Sequence, residues 1–220
     1  MSLNEHSQPG QLTRDDLDIL AKYGAKASWP AGFALYERGT PANGLFVVVS
    51  GRIVLSNNGR NKRDFVSWVA FERETFGCEG LSPHASYATN AYAAVQSETL
   101  HLNFDAYRAL VREQPVCAIA LSGQMVTERA AILQRLHDFA AASVDARVLS
   151  ALDRLSHDPA AKANGTLVVS PSDYRLICEM VGATRESISL ALGRLVGAGV
   201  AERKGTSYVI DRSQLAISPA

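Results

Sequence analysis

The sequence predicts an α+β chain: an N-terminal antiparallel β-roll, one long helix, and a C-terminal helix–turn–helix closed by a β-hairpin. Three observations carry that expectation. From Ala27 to Leu102 the chain is a series of short β-rich runs broken by glycine and asparagine, the texture of an antiparallel barrel or roll. From Val116 to Phe139 apolar residues recur at alternating three- and four-residue steps, the period of a helix with one buried stripe. After Pro171 come a helix pattern, a glycine turn, a second helix pattern and a hairpin.

The elements follow in order. "TRDDLDILAKY" (13–23) reads as a short capped helix. "LFVVVSGRIVLS" (45–56) is two strands meeting at Gly51, and "NNGRNK" (57–62) holds an Asn-Gly hairpin signal. "DFVSWVAF" (64–71) and "YAAVQSETLHL" (92–102) supply further strands. "FDAYRALVREQP" (104–115) is a helix stopped by Pro115. Along the long helix, Ala118, Leu121, Met125, Glu128, Ile132, Arg135 and Phe139 form the stripe, with Glu128 and Arg135 as charged exceptions. Self-association through Leu121, Met125 and Ile132 is the expected use of that stripe. "AAASV" (140–144) reads as a hinge, and "VDARVLSALDRLSHD" (144–158) as a helix. "TLVVS" (166–170) is a strand, and "PSDYRLICEMV" (171–181) a helix begun by a proline where a helix start tolerates one. "VAERKGTSYVID" (200–211) is two strands around Lys204-Gly205. The domain expectation is therefore a β-roll over 13–115, a dimer helix over 116–139, the hinge over 140–144, and a C-terminal domain over 145–220.

Composition removes several function classes. The 220 residues carry no formal net charge, so any polyanion contact must come from a local basic surface. Three cysteines (Cys78, Cys117, Cys178) are too few for a four-cysteine iron–sulfur cluster or a paired zinc site. Five histidines show no metal-ligand spacing, and the nucleotide-loop and nucleophile-elbow patterns are absent. No enzyme is expected; the residual enzymatic reading is a Cys78–His84 nucleophile–base pair. There is no leader pattern and no uninterrupted run of about 18 apolar residues, which predicts a cytoplasmic protein without membrane contact.

The segment "VGATRESISLALGRL" (181–195) carries the most chemistry. At about 100° per residue, Arg185, Glu186, Ser189 and Leu190 share one face about 140° wide, with Ile188, Ala191 and Leu195 opposite. Thr184 is placed to cap the helix. A helix, a glycine turn, a second helix and a hairpin make a winged helix-turn-helix, whose second helix enters the major groove of duplex DNA. Arginine matches guanine O6 and N7, glutamate accepts from cytosine N4, serine suits either kind of partner, and Leu190 can offer only apolar contact. Thr184, Arg194, Arg203 and Lys204 suit phosphates. Between 185 and 204 four basic residues face two acidic ones, a local surplus of +2.

Nearly the whole chain resembles the Crp–Fnr family of bacterial transcription regulators. "GATRESISLALGRLVGAGV" is similar to the family's recognition-helix segment and "LYERGTPANGLFVVVSGRI" to its entry into the cyclic-nucleotide-binding-like β-roll. The resemblance implies a homodimer that reads a palindrome in double-stranded DNA, meets RNA polymerase, and swings its winged domains about the hinge when a small-molecule effector acts on the roll. Arg185 and Glu186 look like the family's paired base readers, and Ser189 like the serine of its oxygen-regulator branch. Leu190 stands where both well-known branches have arginine, so the half-site departs from theirs.

The family's phosphate-binding cassette falls at "FGCEGLSPHASYATNAYAAV" (76–95), which makes Gly77, Cys78, Glu79, Tyr87 and Ala88 the candidate effector residues. Cys78 replaces the ribose-binding glutamate, and Tyr87-Ala88 replaces the arginine-containing phosphate pair. Independently of that alignment, no arginine or lysine lies between Glu74 and Tyr107. A buried phosphate there would lack a charge-assisted partner, so cyclic AMP in the usual mode is not expected. The cluster branch of the family needs an N-terminal cysteine group, and no cysteine precedes Cys78. Haem would need an axial ligand, for which the cassette offers only His84 and Cys78. The remaining alternative is a ligand-sensing regulator whose winged helix binds a protein partner instead of DNA.

Overall fold

The computed structural model describes residues 12–58 and 64–215; much of the Asn-Gly hairpin segment at 57–62 falls outside them. Eight α-helices and eleven strands are described in the order α1 (Arg14–Leu20), β1 (Ala25–Trp29), β2 (Ala34–Tyr36), β3 (Leu45–Ser50), β4 (Ile53–Asn58), β5 (Asp64–Ala70), β6 (Thr75–Phe76), β7 (Asn90–Ala93), β8 (Ser97–Leu102), α2 (Phe104–Glu113), α3 (Pro115–Ala141), α4 (Val144–Leu155), α5 (Pro159–Asn164), β9 (Thr166–Val169), α6 (Pro171–Val181), α7 (Arg185–Gly197), β10 (Ala201–Lys204), β11 (Ser207–Asp211) and α8 (Arg212–Leu215). Two four-stranded sheets, ordered β1-β8-β3-β6 and β2-β7-β4-β5, form the roll, and β10-β11-β9 forms a separate three-stranded sheet.

The described residues up to Leu55, with Ala70–Leu133, make one compact unit; Ser56–Val69 and the chain from Gln134 onward make a second. The first unit's core gathers Leu12 and Leu20 of the N-terminal segment, Leu45 and Val47 of β3, Leu100 and Leu102 of β8, Leu110 of α2, and Cys117, Ala118 and Leu121 of α3. Thr13 starts α1 through a reciprocal capping box with Asp16. By length and composition alone α3 is apolar enough to cross a bilayer. Its Cys117, Ala118, Leu121, Gln124 and Glu128 are buried within the unit, which accounts for part of that apolarity.

This burial changes the reading of the α3 stripe. Leu121 has no exposed surface and Met125 packs on the same core, while Glu128 is 7% exposed. Leu121 is thus enclosed by its own unit and unavailable to a second chain, whereas Met125 and Ile132 of the expected seam are half-buried. The apolar residues left uncovered are instead Val116, Ile119, Val126, Leu133 and Leu136, with Ile119, Val126 and Leu133 at heptad steps.

In the second unit, α3 ends at Ala141 and Ser143 caps α4 by accepting from Ala146 N–H. Arg135 donates to the carbonyls of Met180 and Val66 at 2.9 and 3.3 Å, and burial lowers its pKa to about 10. Arg154 lies 3.8 Å from the Trp68 ring centroid, and Phe139 meets Phe65 edge-on at 4.7 Å. The turn residue Gly182 has φ 64, and a Cβ there would lie 2.5 Å from Phe139. Only glycine fits both the left-handed turn and that approach.

Candidate nucleic-acid interface and effector site

The α6–turn–α7 unit is built by local chemistry. Ser170 and Asp173 form a capping box, Pro171 opens α6, and Gly182 ends it with an N–H to the Cys178 carbonyl. Thr184 then caps α7, its hydroxyl accepting from Ser187 N–H at 3.3 Å. Tyr174 of α6 reaches across and donates to the Arg185 carbonyl at 2.7 Å. Nothing in the sequence pattern marked that tyrosine; its partner lies one helix away.

Helix α7 sorts its faces as the period requires. Ile188, Ala191 and Leu192 are buried, whereas Arg185, Glu186, Ser189 and Leu190 are exposed together at its N-terminal half, Leu190 at 64%. The hairpin β10–β11, turned at Gly205 with φ 61, pairs Glu202 with Val209 and Arg203 with Tyr208, leaving Glu202, Arg203 and Lys204 exposed. Arg194 is bound at both nitrogen edges by Asp145 of α4, and Lys204 pairs with Glu202. Arg203 donates to the Gly205 carbonyl. Cys178 is half-buried, and burial raises its thiol pKa.

In the roll, Gly77 takes φ 70, and a Cβ on it would crowd Tyr87, Phe46 and Tyr36 at 3.2–3.3 Å. These rings make a layer: Tyr36 stacks on Tyr87 at 3.7 Å and Phe46 on Phe76 at 5.0 Å. The Tyr87 hydroxyl is committed to structure, donating toward Asn43 Oδ1 at 2.9 Å or the Gly44 carbonyl at 3.1 Å. The Ala88 N–H donates to Glu79 Oε1 at 3.3 Å, so a carboxylate of the protein faces that amide. Cys78 and Thr75 donate to Glu128 Oε2 at 3.5 and 3.1 Å. Burial, then the neighbouring Glu128 carboxylate, pushes the Cys78 thiol pKa well up, which is the opposite of nucleophile activation. His84 is exposed at φ 59 on the neighbouring loop, while the Cys78 thiol is engaged with Glu128. Cys78 is therefore a poor nucleophile.

Sequence reasoning placed Glu128 on the stripe but took it for a flaw in a dimer seam. The structure makes it the buried link from α3 to the cassette. Burial chiefly raises its pKa from 4.5 to about 7, with Glu79 and Glu74 adding to the rise and the Thr75 and Cys78 hydrogen bonds opposing it. A cavity of about 530 Å³ shares the aromatic layer, lined by Trp29, Tyr36, Phe46, Tyr87, His101 and Glu37 among others. Among the described residues no histidine, cysteine and carboxylate group is arranged to hold a metal ion.

Two parts of the chain match known sequence families. Residues 26–114 match the sequence model of the cyclic nucleotide-binding domain, and residues 146–217 that of the Crp-like helix-turn-helix domain. A CRP-like cAMP-activated global transcriptional regulator of Mycobacterium tuberculosis is 22% identical over 200 residues, covering 89% of this chain and 88% of its own. The cAMP-activated global transcriptional regulator CRP of Haemophilus influenzae is 21% identical over 184 residues, covering 83% and 82%. Among solved structures, FixK2 from Bradyrhizobium japonicum superposes with a TM-score of 0.72 at 18% identity, over 90% of this chain and 99% of that one. The c-di-GMP responsive regulator CLP of Xanthomonas campestris gives 0.71 at 20% identity over the same shares.

Proposed function

Because the chain belongs to the Crp–Fnr family of transcription regulators, we propose that it acts as a homodimer reading a palindromic duplex through α7. The carrying observation is the exposure of Arg185, Glu186, Ser189 and Leu190 on one face of a helix whose other face is buried. Those four residues supply a guanine reader, a cytosine reader, a versatile hydroxyl and an apolar contact for a thymine methyl. Thr184 and Arg203 supply phosphate contacts; Arg194 and Lys204 reach phosphates only by exchanging their carboxylate partners. The dimer forms through the uncovered face of α3, at Val116, Ile119, Val126 and Leu133, and the break between Ala141 and Val144 is the pivot of the winged domain. The effector of the roll is not cyclic AMP in the usual mode: Tyr87 is committed to Asn43 and Gly44, and Glu79 already accepts from the Ala88 amide. RNA polymerase is the partner through which DNA binding takes effect.

The test is selection from a random duplex library with purified protein in reducing buffer and no added effector. The expected product is a palindrome with half-sites about one DNA turn apart. Arg185→Ala then loses discrimination at one base position of each half-site, by roughly 1–3 kcal/mol. Recovery of unrelated sequences at every salt concentration overturns the reading and favours a protein partner.

A further inference from the structure

Cations on the winged helix-turn-helix already hold anions of their own chain. Arg194, in the last turn of α7, meets Asp145 in the first turn of α4 through two parallel hydrogen bonds, Nε to Oδ2 at 2.8 Å and Nη2 to Oδ1 at 2.5 Å. On the wing, Lys204 Nζ is 3.2 Å from Glu202 Oε2. All four side chains stand in solvent: Arg194 and Asp145 are 58% and 48% exposed, Lys204 and Glu202 60% and 67%. Exposed pairs of this kind stabilise a fold little, and α7 is already fixed by its buried Ile188, Ala191 and Leu192. The pairs matter more to what the surface binds.

A guanidinium engaged at two nitrogens by a carboxylate has the fork geometry with which arginine also takes a phosphate. Asp145 therefore occupies the position a DNA phosphate would take on Arg194. Glu202 does the same for Lys204 with a single contact. The local surplus of four basic over two acidic residues between 185 and 204 falls to +1 once Asp145 is included.

Resting on the duplex-binding reading above, we infer that Asp145 and Glu202 are affinity-setting residues, internal phosphate mimics that hold down sequence-independent DNA binding. Sequence-independent affinity comes from cations that release condensed counterions from phosphates. A cation neutralised by its own carboxylate gives little net release. When a phosphate displaces that carboxylate, the carboxylate remains nearby as a like charge. What α7 gains from base edges is untouched, because Arg185 and Glu186 lie at the opposite end of the helix from Arg194. A protein of zero formal net charge with this arrangement stays off arbitrary DNA.

The measurement is the affinity of the full-length protein for a duplex of arbitrary sequence, and for the selected palindrome, across a salt series. Asp145→Asn and Glu202→Gln keep the shape and remove the charge. Each is expected to raise arbitrary-duplex affinity roughly three- to tenfold at low salt and to steepen the log–log salt slope by about 0.9. Asp145→Glu, which keeps the charge, should behave as the parent does. Thermal melts check that the substitutions leave the fold intact. If affinity falls, or the slope stays the same while the parent binds duplex normally, the carboxylates are struts or bystanders and the inference fails alone. If the parent binds no duplex in any arm, the inference and the DNA-binding reading fall together.

Discussion

Glu128 shows how one side chain carries a pH dependence. The residue is 7% exposed; its carboxyl accepts from Thr75 and Cys78, and has Glu74, Glu79 and the Tyr36 phenol as further ionisable neighbours. Burial disfavours the anion more than two hydrogen bonds favour it, so the folded-state pKa is raised to about 7 from 4.5. A raised carboxyl pKa means that the folded state binds the proton more tightly than the unfolded chain. Its favourable contribution is present below pH 4.5 and is lost as pH rises toward 7, on the order of 3 kcal/mol in all. Glu128→Gln removes the titration while keeping an acceptor for Thr75. Denaturant unfolding at pH 5 and pH 8 should therefore show the variant more stable than the parent at pH 8, with the difference shrinking toward pH 5. Equal differences at both values would mean that Glu128 is ionised throughout.

At the scale of elements, α3 makes the sharpest prediction and shows where sequence reading stopped. The helix carries two apolar stripes. One, through Ala118, Leu121 and Met125, packs on the roll core; the other, through Val116, Ile119, Val126 and Leu133, is uncovered. Val126→Glu should thus convert a dimer to a monomer in sedimentation, with little change in the monomer's melting. Leu121→Ala should instead lower stability by roughly 2–5 kcal/mol. If Val126→Glu stays dimeric, the association surface lies elsewhere. Periodicity identifies which residues share a face but not which face meets its own domain, and an alanine-rich helix supplies two candidates. Elements with a local signal were legible: Thr184 capping α7, Gly182 ending α6, and the hairpin at Lys204-Gly205. Contacts between segments distant in the chain were not. Asp145 and Arg194 are 49 positions apart, and the Tyr87 hydroxyl finds Asn43 at a separation of 44. Short β2 and β6 carried no pattern of their own, since two or three residues give no alternation to read.

Across the whole molecule, architecture alone does not decide what the roll binds; the groups inside it do. The roll has the architecture of a cyclic nucleotide-binding domain, yet the stretch from Glu74 to Tyr107 holds no arginine or lysine. Three of the candidate effector residues are already engaged: the Tyr87 phenol is bonded, the Cys78 thiol donates to the buried Glu128, and Glu79 accepts from the Ala88 amide. An anionic phosphate entering there would lose its hydration, compete with Glu79 for the Ala88 amide, and find no arginine or lysine from that stretch to compensate. A ligand that binds only the native state must raise its melting temperature, by an amount that grows with ligand concentration. Millimolar cyclic AMP is therefore expected to leave both the melting temperature and the affinity for the selected palindrome unchanged. A dose-dependent rise in melting temperature would show that cations outside the cassette complete the site, and would return this chain to the nucleotide-sensing branch of its family.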